Sequence, residues 1–257
     1  MKRSSKELKR ISRDLLNDRY GVPMGAFVLA NVIVVAVGIP FSMSMGETPT
    51  PLQLVIALLA QYLITLISFV LNAGVIRVHL NMTRAREFKI TQIFAPFKEQ
   101  AERFFGAAFL ISLLSIACCL PCIAGGIFFY LSDMSLISTI VFIITALVSF
   151  AIGLYICITY NFVSFFLLDC SQMRVIAAFK ESRHLMHGNR WRFFYILLSF
   201  IGWELLIACS LGIASLWVNP YMNQTYVCFY LDCTGELDQI PVRSYSSEPN
   251  QFHNSIF

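Results

Sequence analysis

Residues 136–168 read LISTIVFIITALVSFAIGLYICITYNFVSFFLL, a run without one charged side chain. Four further apolar runs fall near 22–43, 52–76, 104–131 and 193–217. A hydrocarbon layer of about 30 Å is crossed by roughly 20 helical residues, so each run is long enough to span one. No water-soluble core can shelter that much contiguous apolar surface, and only 13% of the chain is charged, against roughly a quarter in soluble domains. The sequence therefore predicts an all-α fold, a polytopic transmembrane helical bundle of five spans, with a sixth if residues 219–232 also cross.

Between the spans the pattern changes to amphipathic. Residues 4–19 put Leu8, Ile11, Leu15 and Leu16 on one helical face and Lys6, Lys9, Arg10 and Arg13 around the remainder, as in a helix lying on a membrane surface. A cleaved signal peptide would carry a shorter apolar region nearer the start and a small-residue cleavage site, and neither is present. Residues 91–103, broken near Pro96, and 171–187 are expected to form two more surface helices. The run 136–168 would be roughly 50 Å long as one helix, so it must tilt, bend near Gly153 or project beyond the hydrocarbon. Residues 1–232 are expected to be a single membrane domain and 233–257 a polar, disordered tail.

Basic residues give the orientation. Seven Lys or Arg lie in residues 1–21, six in 77–103 and five in 169–192, leaving only Arg243 elsewhere. Such segregation marks the cytoplasmic side. It also argues against nucleic acid as a partner and for the lipid bilayer, with anionic headgroups at the cytoplasmic face. With five spans the N-terminus is cytoplasmic and the tail is expected outside. A surface helix, a polar corner and an apolar hairpin recur three times, and LLNDRYG at 15–21 and LMHGNRW at 185–191 hold the same place in two units. Duplication explains this, and so does the general need of a membrane hairpin for a basic approach.

Three stretches invite chemistry. Glu181, His184 and His187 share a helix face at three-residue spacing, as in carboxylate-bridged metal sites, but further ligands are scarce. The preferred reading joins His184 and His187 to Lys180, Arg183, Arg190 and Arg192 as a headgroup-facing basic surface, with no metal. Cys119-Leu-Pro-Cys122 has redox spacing but lies inside a span rather than at a helix start after a strand. Cys228 and Cys233 could pair in an oxidising environment, which the sequence leaves open. Glu204 is the candidate intramembrane functional residue. It stands midway between Trp191 and Trp217, where a carboxylate costs several kcal/mol unless neutral, paired or wet. Its available polar partners are Asn31, Gln61, Asn72, Tyr155 and Asn161, and helix-to-helix hydrogen bonding is the alternative to a proton relay.

The blocks SSKELKRISRDLLNDRYG, ITQIFAPFKE, ESRHLMHGNRWRFF, LSFIGWELL and WVNPYMNQTYVCFY, in that order, resemble the bacterial membrane family called domain of unknown function 975. The resemblance covers the chain to about residue 232, and the corner at 182–189 and the Phe-Ile-Gly-Trp stretch carry it most specifically. The family pattern has a basic residue where this chain has His187, which favours the basic-surface reading. The resemblance implies a multi-pass protein of the bacterial cytoplasmic membrane. It implies no reaction, so no catalytic or cofactor-binding residues carry over and no cofactor is expected. The function expected is that of a non-enzymatic integral membrane protein in transport, export or membrane organisation, acting alone or with other membrane proteins. The alternative is a membrane-embedded enzyme or proton-coupled carrier using Glu204.

Overall fold

The structure, a computed structural model, describes residues 3–43, 50–133 and 135–240. Within them every regular element is helical. Helix α1 (Ser5–Leu16) is capped by the Ser4 hydroxyl, which accepts from the Glu7 backbone N–H, and it buries Leu8, Ile11, Ser12 and Leu16. Helices α2 (Gly21–Met43) and α3 (Pro51–Thr83) form the first hairpin, and α3 starts in a capping box of Thr50 and Gln53. A 3₁₀ turn, Ile90–Phe94, leads into α4 (Ala95–Leu131), which is broken at Gln100 (φ −161°, ψ 57°) rather than at Pro96. The second hairpin is completed by α5 (Leu136–Tyr160). Short helices α6 (Val163–Asp169) and α7 (Val175–Met186) follow, then α8 (Arg190–Leu198), α9 (Ile201–Cys209), α10 (Ser215–Thr234) and a last 3₁₀ turn, Glu236–Asp238.

Five segments are long and apolar enough to cross a membrane: Gly21–Pro40, Pro51–Thr83, Ile90–Leu131, Leu136–Asp169 and Arg190–Cys209. The long fourth run bends at Asn161 and Phe162, between α5 and α6, and not at Gly153. The fifth is not one helix to Trp217. It breaks at Ser199, whose hydroxyl donates to the Ile196 carbonyl at 2.6 Å, and it ends at Cys209. Lys9 of α1 donates to the carbonyl of Ser199 at 3.0 Å and stands 3.8 Å over the Phe200 ring. A surface helix thus satisfies an acceptor that the break exposes. Partial burial, with Arg13 nearby, lowers the Lys9 pKa.

The largest departure concerns α10. The sequence leaves open whether residues 219–232 cross, and its five-span reading sets the tail on the outer side. Residues 219–232 instead belong to a 20-residue helix, about 30 Å long at helical rise. It packs against α1, α2 and α3 and buries Tyr221, Gln224, Val227, Cys228, Phe229, Tyr230 and Leu231. It also brings Asp232 and Asp238 back to Arg3. The two ends of the described chain therefore share one face, because a helix of this length antiparallel to α9 returns the chain to where α8 began. Residues 241–257, the greater part of the expected tail, lie outside the described residues.

Two glycines set helix spacing. A Cβ on Gly74 of α3 would stand 2.1 Å from the Ile93 carbonyl oxygen, so only glycine lets the 3₁₀ turn seat on α3. A Cβ on Gly125 of α4 would stand 2.0 Å from Thr145 Oγ1 of α5. The densest core lies beneath the basic face, where Phe162 stacks on Phe229 (5.6 Å) and meets Phe193 edge-on (5.2 Å), with Leu8, Leu16 and Met186 around them.

Candidate functional site

Two polar constructions stand out, one on the basic face and one deeper. On the face, the Asp232 side chain is only 2% exposed and lies between two arginines. Its Oδ2 accepts from Arg192, and its Oδ1 accepts from Arg3 Nη1 at 3.3 Å. Arg192 also donates to the Arg3 carbonyl at 2.7 Å, and Arg3 reaches Asp238 at 2.6 Å. Beside this cluster, Arg84 at the end of α3 holds Asp169 through Nη1 and Nη2 (2.6 and 2.9 Å) and Glu236 through Nε and Nη2 (2.7 Å each). Tyr230 donates to Asp169 at 2.8 Å. The hydrogen bond to Asp169, then those to Glu236, raise the Arg84 pKa, so its charge is fixed. Arg103 spends its guanidinium on the carbonyls of Met173, Ser171 and Cys170 at 2.7–2.8 Å, clamping the approach to α7.

One turn deeper, His79 is fully buried and Gln224 Oε1 lies 2.8 Å from its Nδ1. Gln224 donates to Thr83 Oγ1 at 2.6 Å, and Thr83 to the His79 carbonyl at 2.9 Å. This net joins α3 to α10. His79 Nε2 has no partner.

Deeper still are two clefts of about 530 Å³ and 410 Å³. The larger lies between α3, α4, α5 and α10, the smaller between α2, α3 and α10, and Phe69, Asn72 and Asn223 belong to the walls of both. Asn161 and Tyr226 face the first and Asn31 and Asn219 the second, and no Asp, Glu, Lys, Arg or His lines either. Residues 69 and 72, and 219, 223 and 226, each fall on one face of their helices, so the α3–α10 contact assembles the wall.

Most residues singled out from the sequence go elsewhere. Glu204 is exposed on α9, and its carboxyl makes no hydrogen bond with Asn31, Gln61, Asn72, Tyr155, Asn161 or any other described residue. The expected partnership is corrected: the break at Ser199 leaves α9 with no buried residue, and Glu204 shares its outward position. Asn31 donates to the Phe27 carbonyl of its own helix at 2.8 Å, and Gln61 is exposed. Asn72 and Asn161 reach the clefts, while Tyr155 lies under the Arg190 guanidinium, 4.8 Å away. Lys180, Arg183, His184 and His187 are exposed, as is Glu181. Arg192 is not part of that surface. It turns inward to Asp232, and Arg190 Nε is buried without a partner. Cys228 is buried and Cys233 half-buried, and five positions along one helix point the two thiols apart. The Cys118 thiol donates to the Ser149 carbonyl at 3.0 Å, and Cys119 faces the larger cleft. No group of three or more His, Cys, Asp or Glu gathers among the described residues.

Sequence reading missed Asn223, Gln224 and Asp232. The signal was there in the asparagines and glutamine of NPYMNQTY, at helical spacing, but the same polar residues dilute the apolar run and conceal it.

An all-α bundle with five helices of membrane-crossing length and composition defines the class. Within it, the chain belongs to the family described as Protein of unknown function (DUF975), whose model matches residues 1–236. No curated protein and no solved structure matches the chain.

Proposed function

We propose that this is an integral protein of the bacterial cytoplasmic membrane, inserted with its basic face toward the cytoplasm and acting without catalysis in transport, export or membrane organisation. The observation that carries the reading is the pair of amide-walled clefts deep in the bundle: they offer hydrogen bonds but no carboxylate or imidazole for acid–base work. The exposed Lys180, Arg183, His184 and His187 supply the charge that anionic headgroups attract. The ion-paired Arg3, Arg84 and Arg192 belong to the internal framework instead.

Reporter cysteines at Asn17 and Gln239, in a background without native cysteines, test the insertion. Both positions are expected to stay unlabelled by an impermeant maleimide in intact cells and to react after permeabilisation. Labelling of either in intact cells overturns the orientation.

One observation favours a second reading, a proton-coupled carrier. Glu204 is an exposed carboxylate inside the crossing-length segment Arg190–Cys209, which leads into α10, whose Tyr226 lines the larger cleft. Proton flux into proteoliposomes, followed with an entrapped pH dye, separates the two. Non-catalytic binding without coupling predicts no flux above empty vesicles, whereas flux abolished by Glu204→Gln moves the assignment to the carrier.

A further inference from the structure

The side-chain amides of Asn72, Asn161, Asn219 and Asn223 make no hydrogen bond to any described residue, although each lines a cleft. Asn72 is exposed to its clefts and the other three are half-buried; at hydrocarbon depth an amide left unmatched costs about 1–3 kcal/mol, so the four call for an occupant that supplies donors and acceptors. That occupant carries no net charge, since neither wall has a formal charge to offset one. Much of the remaining wall is hydrocarbon and aromatic, with Phe69, Ile76, Ile111 and Phe165 in the larger cleft and Phe27 and Val34 in the smaller. Each cleft falls in the roughly 300–1,000 Å³ range of small-molecule sites.

The division of the space narrows the ligand further. Asn72 and Asn223 belong to both walls, so one polar group seated on them has the mainly apolar larger cleft on one side and, on the other, a smaller cleft whose wall is apolar along Phe27, Val34, Leu71 and Val75 and polar elsewhere. Counting helical rise from Thr83 and Asp232, they lie roughly 16 Å and 14 Å below the ionic layer, near the middle of a 30 Å hydrocarbon slab. We propose that the two clefts form one site for an uncharged, two-limbed amphiphile with ester, amide or hydroxyl groups. Its polar linkage sits between Asn72 and Asn223, one apolar limb enters the larger cleft and the other lies along Phe27, Val34 and Val75 of the smaller. This rests on the membrane reading above and names the ligand class for it.

The test uses the full chain, extracted in a mild detergent, stripped of lipid and offered dioleoylglycerol, dioleoylphosphatidylglycerol or hexadecane, with adducts read by native mass spectrometry. Dioleoylglycerol is expected to be retained about tenfold more than either competitor. Asn72→Leu with Asn223→Leu, which keeps the branched outline of each side chain and removes its hydrogen bonds, is expected to erase that preference at unchanged helicity and elution volume. This corresponds to the loss of hydrogen bonds worth about 1.4 kcal/mol together. Absence of a dioleoylglycerol adduct overturns the proposal. So does equal retention of hexadecane or of the anionic lipid, or a preference that survives the double substitution. Wild-type discrimination among the three probes decides the matter even if the double variant fails to fold. Carbonate extraction of native membranes reports separately on insertion: release of the protein would defeat the membrane reading, whereas resistance without a dioleoylglycerol preference would defeat only the ligand.

Discussion

The basic end of the molecule and its opposite end are built on different principles. At the basic end α1, α6, α7, α8 and the last turns of α3 and α10 interlock, with Leu8, Leu16, Phe162, Phe193 and Phe229 fully buried and Asp232 bracketed by arginines. At the far end Leu136 is 79% exposed, Leu211 94%, and most apolar positions of α5 and α9 face outward. The first region is packed like the interior of a soluble domain and holds itself together through side chains. The second leaves its apolar surface to be covered by whatever surrounds it, and its segments are long and apolar enough to lie in hydrocarbon. Sequence changes should therefore be felt at the basic end and largely absorbed at the other.

The strongest way to break this contrast is Asp232→Ala. Removing the buried carboxylate leaves Arg192 without a carboxylate partner, while Arg3 keeps Asp238, at a cost of about 3 kcal/mol, the low end for a broken buried pair. The midpoint of denaturant-induced unfolding in micelles should fall accordingly, and an unchanged midpoint would mean that the arginines find water there. Gly74→Ala should rank next, at about 1–3 kcal/mol, because the new methyl meets the Ile93 backbone, which cannot rotate away.

Gly125→Ala sharpens the comparison from the other side. It lies in the α4–α5 hairpin, where Thr145 must turn and give up its bonds to the Val141 and Phe142 carbonyls. A side chain yields more easily than backbone, so the expected loss is about 1 kcal/mol, the low end of overpacking costs. Leu58→Ala, on an exposed face of α3, should move the midpoint by no more than about 0.5 kcal/mol. A drop of the size seen for Gly74→Ala would reveal a protein contact over that face.

How far each element could be read from the sequence follows from how local its cause is. A run such as residues 136–168 betrays itself within its own length, and the face formed by Leu8, Ile11, Leu15 and Leu16 is a matter of spacing. Residues 215–234 do neither: their asparagines and glutamine dilute the apolar signal, and what shelters them comes from α1, α2 and α3, remote in sequence. The same holds for the candidate site. Asn72 and Asn161 were noted as polar residues at depth, but for a partnership with Glu204 that the outward face of α9 denies. The pairing of Asn72 with Asn223 needed the antiparallel return of α10. Arg192 read as a surface charge because nothing near it in sequence opposes it, and its partner lies forty residues away on that returning helix.

The sequence by itself determined the all-helical class, the five crossing-length segments and the single basic face. Segment length and charge placement are properties of consecutive residues, and water and hydrocarbon sort them without help from the rest of the chain. Only the tertiary structure decided that the described chain begins and ends on one face, that Asp232 locks it there, and that unpaired amides meet across α3 and α10. Each of these depends on which distant helix lies alongside, and a buried polar group acquires its meaning from the neighbour that does or does not satisfy it.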